Sequence, residues 1–181
     1  MAQNDPIYWS HLLNEKWSLI VAAGEQGLCF VGSQGADVQE LEDWAKRRFP
    51  SRPLIRDEAR LQPYADEIEA YLSGKLTNFS VPFEATGTPF QQAVWKALCD
   101  IPYGKTASYS DIALRIGKPS SVRAVGTAIG ANPVLITIPC HRVIGKNGGL
   151  TGYRGGLEMK TRLLEIEGSR VWEDNPLMCD D

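Results

Sequence analysis

A cysteine and a histidine stand side by side at Cys140 and His141, inside the run Ile138-Pro-Cys-His-Arg-Val143. A thiol is a strong nucleophile only as its thiolate, and a free cysteine near neutral pH is mostly protonated. A neighbouring imidazole is the usual means of shifting that balance. The chain has only two histidines, His11 and His141, so the adjacency singles out Cys140 for covalent chemistry. Cys29, Cys99 and Cys179 lack such a neighbour and read as small hydrophobes. With no CxxC pair, a structural zinc site is not expected.

Neighbours i and i+1 on a helix do not face each other. His141 is therefore expected to reach the Cys140 proton through a bridging water. A histidine used in this way needs a partner for its other ring nitrogen. Glu167, at the end of the last predicted helix, is the candidate. A carboxylate there opposes the helix dipole, which favours a functional reason for it. From these residues alone three readings stand open: covalent group transfer to the thiol, a Cys-His hydrolase, and a DNA-binding module whose cysteine is incidental.

The elements that must position these residues begin at Thr88. Thr88 suits an N-cap, Pro89 the first helical position and Gln91 a capping box. The pattern predicts a helix to about Asp100 that buries Phe90, Val94, Trp95 and Leu98. Ile101-Pro-Tyr-Gly104 reads as a turn. A short helix capped by Ser108, with Asp111 in the box position, should bury Ile112, Ala113 and Ile116. A second, capped by Ser120 or Ser121, runs to Gly130. Two helices around a tight glycine-containing turn, with an arginine on the outer side, form a helix-turn-helix pattern. Val134–Ile138 reads as a strand or extended segment leading to the thiol, and Leu157–Glu167 as the last helix. In the first half, Trp17–Ala22 and Leu28–Val31 read as a hairpin or adjacent strands, Val38–Phe49 and Leu61–Leu72 as helices, and Phe79–Phe83 as a short strand. The joint between halves falls at Glu84–Thr88, giving domains 1–85 and 86–181.

Net charge is −3 over 181 residues, which excludes a general polycation. Its distribution is uneven. Residues 101–160 carry eight basic groups against two acidic ones, a net +6; residues 1–100 are net −5 and the last twenty-one net −4. A basic middle between acidic flanks fits a polyanionic partner. No apolar run approaches the ~20 residues of a membrane span, and no signal peptide precedes the first domain, so a cytoplasmic address is expected.

Pro139-Cys-His-Arg-Val143 resembles the active-site motif of the O6-alkylguanine-DNA alkyltransferases. Further blocks match in order: Phe90-Gln-Gln-Ala-Val-Trp95, Pro102-Tyr-Gly-Lys-Thr106, Ser108-Tyr109, Arg123-Ala-Val-Gly126, Gly130-Ala-Asn-Pro133 and Gly152-Tyr-Arg-Gly-Gly156. The likeness covers Thr88 to Gly168. The acidic first half is similar only in outline to the family's α/β domain.

The resemblance implies a ribonuclease H-like α/β domain, with a small sheet and flanking helices. A mainly α, winged-helix-like domain with the helix-turn-helix would follow. It implies a repair protein that moves the alkyl group from guanine O6, and from thymine O4, irreversibly onto its own cysteine, once per molecule. The partner would be double-stranded DNA bearing alkylated bases, bound by a monomer that needs no cofactor, metal or obligate protein partner. By the same likeness Cys140 is the acceptor, His141 relays a proton and Glu167 holds His141. Asn132 ties the second DNA-binding helix to the active-site segment. Arg123 enters the base stack as the damaged nucleotide leaves, with Ala124 beside it permitting close approach. Tyr109 assists rotation of the nucleotide, and Tyr153 lies on the loop closing the pocket. Main-chain groups near Cys140, Val143 and Arg154 read the guanine edge. Cysteine at 140 separates the chain from binding-only relatives. Arg154 stands where some relatives carry a small residue.

Overall fold

A computed structural model describes residues 4–168 and divides the chain into two compact units, Met1–Ala85 and Thr86–Asp181. The expectations for Cys179 and for the acidic tail lie outside the described residues.

The first unit is a four-stranded sheet with helices. Strands β1 (Ile7–Leu13), β2 (Ser18–Gly24), β3 (Gly27–Val31) and β4 (Leu54–Arg56) lie in the order β3-β2-β1-β4. β1 pairs antiparallel with β2 and parallel with β4, and β2–β3 is the expected hairpin. Helix α1 (Val38–Arg48) is capped by the Asp37 side chain. It packs Leu41, Trp44 and Ala45 against Ile7, Ile20, Ala22 and Phe30 of the sheet. Helix α2 (Glu58–Leu72) covers β1 and β2. It starts three residues earlier than the periodicity predicts, because the Asp57 carboxylate accepts from Arg60 N at 3.1 Å and nucleates the first turn.

The expected strand over Phe79–Phe83 is instead a single bridge, Leu28 to Phe83. The segment lies along β3 through Leu28 N to Pro82 O (2.9 Å) and Glu84 N to Leu28 O (2.8 Å). Gly27, at φ +119, makes this possible, since a Cβ there would strike the Pro82 carbonyl.

The second unit opens with α3 (Pro89–Cys99), whose Thr88–Gln91 capping box is fully formed. Val94, Trp95 and Leu98 are buried, whereas Phe90 is only half-buried. Trp95 Nε1 donates to Ala128 O at 2.9 Å, joining α3 to α5 (Val122–Gly130). Between them comes β5 (Ala107–Ser108) and then α4 (Tyr109–Arg115), whose Ser108–Asp111 box is also formed. Helices α4 and α5 pack on each other as the helix-turn-helix. Ser121 occupies the cap position of α5, but its side chain makes no capping bond. Along α5, Val125, Ala128 and Ile129 face the core and Arg123, Ala124 and Thr127 face out.

Residues 134–138 are not a strand. They fold into consecutive turns with Ile136 at φ 71, a left-handed conformation that a β-branched residue rarely adopts. A 3-10 turn at Cys140–Arg142 follows, then β6 (Val143–Ile144), which pairs in parallel with β5, and finally α6 (Leu157–Ile166). Among the described residues no helix is long and apolar enough to cross a membrane.

Candidate active site

The turns before Cys140 are organised by one side chain. Asn132, fully buried where α5 ends, accepts from Val134 N through Oδ1 at 2.9 Å. Its Nδ2 points at Val134 O (3.3 Å), Ile138 O (3.1 Å) and Cys140 Sγ (3.2 Å). The amide supplies the hydrogen bonds that a strand would have taken from a neighbour, and the chain turns instead of extending. A donor aimed at sulfur also favours the thiolate over the thiol.

Cys140 is 3% exposed. Burial pushes its thiol above the ordinary value, while the Asn132 donor and the charges of Arg154 and Lys160 pull it down. His141, next in the chain, lies completely buried. Its Nε2 sits 2.7 Å from Glu167 Oε2. Nδ1 is the ring nitrogen that Glu167 does not engage. Burial lowers the His141 pKa; Glu167 opposes that shift, and the Arg142 and Lys160 charges reinforce it.

Glu167, the C-cap of α6, is gripped by more than the histidine. Arg142 donates from Nε to Oε1 at 2.8 Å and from Nη2 to Oε2 at 3.1 Å. Gly104 N donates to Oε1 at 3.3 Å, and Tyr103 OH donates to the adjacent Ile166 carbonyl at 3.2 Å. Those donors offset the unfavourable dipole of a carboxylate at a helix C-terminus.

The loop before α6 carries the remaining expected residues. Arg154 donates to Asn132 O and to Pro133 O, both at 3.2 Å, tying the loop to the end of α5. Thr151 Oγ1 donates to the Tyr109 hydroxyl at 2.9 Å, joining the loop to the start of α4. Gly155 has no room for a Cβ, which would collide with the Met159 sulfur and lie 2.7 Å from the Tyr153 ring. The Tyr153 hydroxyl is buried without a hydrogen bond, and burial raises its pKa well above the ordinary value. Val143 is fully buried, and its N–H donates to Cys140 O. Arg123 and Ala124 lie on the outer face of α5. Asn132, Cys140, His141, Glu167 and Arg154 thus form one connected cluster, and Tyr109 reaches its loop through Thr151.

Two residues beside this cluster contribute to the basic charge seen in the sequence. Arg142 is 8% and Lys160 1% exposed, so neither belongs to a surface meant for a polyanion. The outward cations of that stretch are Lys105, Arg115, Lys118, Arg123 and Lys146. Lys160 Nζ donates to Thr151 O at 2.9 Å, and burial lowers its pKa to about 8, against a pull upward from Cys140. The signal for it was available: Lys160 and Leu164 share the buried stripe of α6 with Met159 and Leu163, and a lysine in an apolar stripe calls for a reason. Among the described residues no group of three His, Cys, Asp or Glu side chains is placed to hold a metal.

A thiol with an amide donor, a nearby buried lysine and an oriented imidazole beside a helix-turn-helix fits nucleophilic chemistry on DNA. Two family models match in succession. Residues 7–85 match the ribonuclease-like domain, and residues 89–169 the DNA-binding domain, of 6-O-methylguanine DNA methyltransferase. This chain belongs to the methylated-DNA–protein-cysteine methyltransferase family. The inducible enzyme of Bacillus subtilis (strain 168) is 61% identical over 168 residues, 92% of this chain and 94% of the relative. An enzyme of Methanosarcina barkeri is 44% identical over 84% of this chain and 92% of its own. Among solved structures, the O6-methylguanine methyltransferase of Mycobacterium tuberculosis superposes with TM-score 0.76 at 38% identity, covering 97% of this chain and 99% of that one. The M. tuberculosis OGT in complex with DNA gives TM-score 0.74 at 37% identity, over 96% and 99%. As a member of this family the protein binds DNA and repairs alkylated bases by transfer to its own cysteine. The hydrolase and the incidental-cysteine readings fall with that.

Proposed function

We propose that Cys140 is the acceptor, and that Asn132, His141 and Glu167 prepare it. The observation carrying this reading is the line from Asn132 Nδ2 to Cys140 Sγ (3.2 Å), with His141 next in the chain and held by Glu167 (2.7 Å). Glu167 accepts from Nε2–H, which leaves a lone pair on Nδ1. The thiol proton passes through water to Nδ1, sulfur attacks the O6-alkyl carbon, and the carbon–oxygen bond breaks. The proton goes on to the departing guanine. The products are S-alkylcysteine and guanine, and a thioether has no hydrolytic exit, so each molecule acts once. The chemistry needs no methyl donor and no metal.

An O6-alkyl group inside a duplex is out of a thiol's reach, so the nucleotide must rotate out at a cost of a few kcal/mol. Arg123, outward on α5, fills the vacated stack, Ala124 permits close approach, and Tyr109 guides the rotation. Tyr153 closes over the extruded base, whose edge is read by main-chain groups near Cys140, Val143 and Arg154. The outward cations hold phosphates without reading sequence. The same chemistry extends to O4-alkylthymine, performed by a monomer on double-stranded DNA. An acceptor thiol works only reduced, which supports a cytoplasmic address.

The test is intact-protein mass after exposure to a methylated-guanine duplex. We expect one methylene gained per lesion repaired, mapped to Cys140, and Cys140→Ala that still binds the duplex without transfer. Repair by Cys140→Ala would overturn the assignment.

A further inference from the structure

The arginine after the histidine has no role in the proposed transfer, yet its guanidinium makes three buried hydrogen bonds. Its guanidinium meets both oxygens of Glu167 at 2.8 and 3.1 Å and donates from Nη1 to Ile101 O at 2.6 Å, with the Tyr103 ring centroid 5.8 Å away. Glu167 Oε2 therefore lies within hydrogen-bond reach of two donors, Arg142 Nη2 and His141 Nε2. Placing an arginine on a carboxylate that must orient a histidine has an electrostatic consequence. An arginine does not give up its proton.

Count the buried charges. Arg142 and Glu167 cancel, so the triad is neutral when the imidazole is neutral and carries +1 when it is protonated. Without Arg142 the balance reverses: the pair carries −1 with a neutral imidazole and becomes neutral by taking up a proton. A buried site favours whichever protonation state leaves the smaller net charge.

We propose that Arg142 is a positioning residue that keeps His141 neutral and in the Nε2–H form, so that Nδ1 meets the thiol as an acceptor. Glu167 alone would orient the ring but also charge it, and an imidazolium cannot take the Cys140 proton. Arg142 lets the carboxylate act as an orienting group without making it a proton trap. The inference deepens the Cys140 reading and rests on it. Besides Glu167 and Arg142, the charged group acting on the ring is Lys160 on α6; Arg154 and Tyr153 on the loop face Cys140 on the 3-10 turn, Tyr153 also faces Glu167, and Tyr103 faces Arg142 and Glu167 from the α3–β5 connection. Lys160 disfavours a second positive charge and so works in the same direction as Arg142.

The chain has two histidines, so its imidazole resonances can be assigned with a single His11→Gln variant. In the wild-type protein at pH 7, nitrogen shifts of His141 should report a neutral ring protonated on Nε2. A charged ring, or one protonated on Nδ1, would refute the proposal without any substitution. In Arg142→Met the His141 midpoint should rise by about one pH unit or more. The acid limb of the single-turnover pH–rate profile should move with it, giving roughly tenfold slower transfer below the new midpoint. Arg142→Lys, which keeps a charge but loses the two-pronged grip, should fall between and carries the comparison if the methionine variant does not fold. An unchanged His141 midpoint with an equal loss of rate at every pH would mean that Arg142 only holds the turn in place. The resonance measurement reads the ring whether or not Cys140 is the acceptor, so failure of the two readings is distinguishable.

Discussion

Replacing Lys160 by methionine should make the resting protein more stable and the reaction slower. Lys160 is 1% exposed and its pKa is lowered to about 8. An unfolded lysine titrates near 10.4, so keeping this one charged in the folded state at pH 7 costs roughly 3 kcal/mol. Its bond to the Thr151 carbonyl returns about 1 kcal/mol, leaving a net gain of roughly 2 kcal/mol for a methionine of similar length. The sign follows from linkage. Between pH 8 and about 10.4 the unfolded chain holds a proton that the folded one has lost, so wild-type stability rises through that window relative to the variant. Below pH 8 the full penalty is present. Urea unfolding of both proteins from pH 7 to 10.5 measures the difference, and the other titrations cancel in the subtraction. Single-turnover transfer by the variant should fall several-fold, because the thiolate loses a nearby positive charge that holds the thiol pKa down. A variant less stable than the wild type at pH 7, or two stability profiles that stay parallel to pH 10.5, would show that Lys160 is not a buried cation and that the reasoning fails.

Asn132→Ala should slow transfer and lower stability by about 1–3 kcal/mol for each group left unsatisfied, chiefly Val134 N–H and Ile138 C=O; thermal unfolding and single-turnover kinetics read the two losses. Arg123→Ala should repair duplex lesions much more slowly while reacting almost normally with free alkylguanine, and equal losses on both substrates would remove it from the extrusion step. Gly27→Ala should destabilise the first unit by more than the ~1–2 kcal/mol that a left-handed backbone alone costs a residue with a Cβ, because at φ +119 that Cβ would also collide with Pro82 O; urea unfolding checks it.

The parts of the fold legible in the sequence were those written in local rules. The Thr88–Gln91 and Ser108–Asp111 boxes formed as their spacing required, and the β2–β3 hairpin followed from two apolar runs around a glycine-bounded turn. The failures share a cause. Val134–Ile138 looks like a strand to any periodicity argument, but Asn132 captures its hydrogen bonds, a competition visible only when the amide is in place. β4 is three residues long and exists because β1 offers it an edge. β1 itself mixes Ser10 and His11 into its apolar residues, which blurs its alternation. Arg142 and Lys160 were read as surface charge because a sequence shows sign but not depth. Of the site, the sequence supplied the Cys140–His141 pair and a partner at Glu167; the grip of Arg142 on that carboxylate required the close of α6 against the Ile101–Gly104 turn.

Asn132, two residues beyond the last residue of α5, is the one whose amide rests on the sulfur. An outward-facing helix and the candidate nucleophile are thus linked through one fully buried side chain. Any rearrangement of the segment that leaves α5 therefore changes what the sulfur accepts.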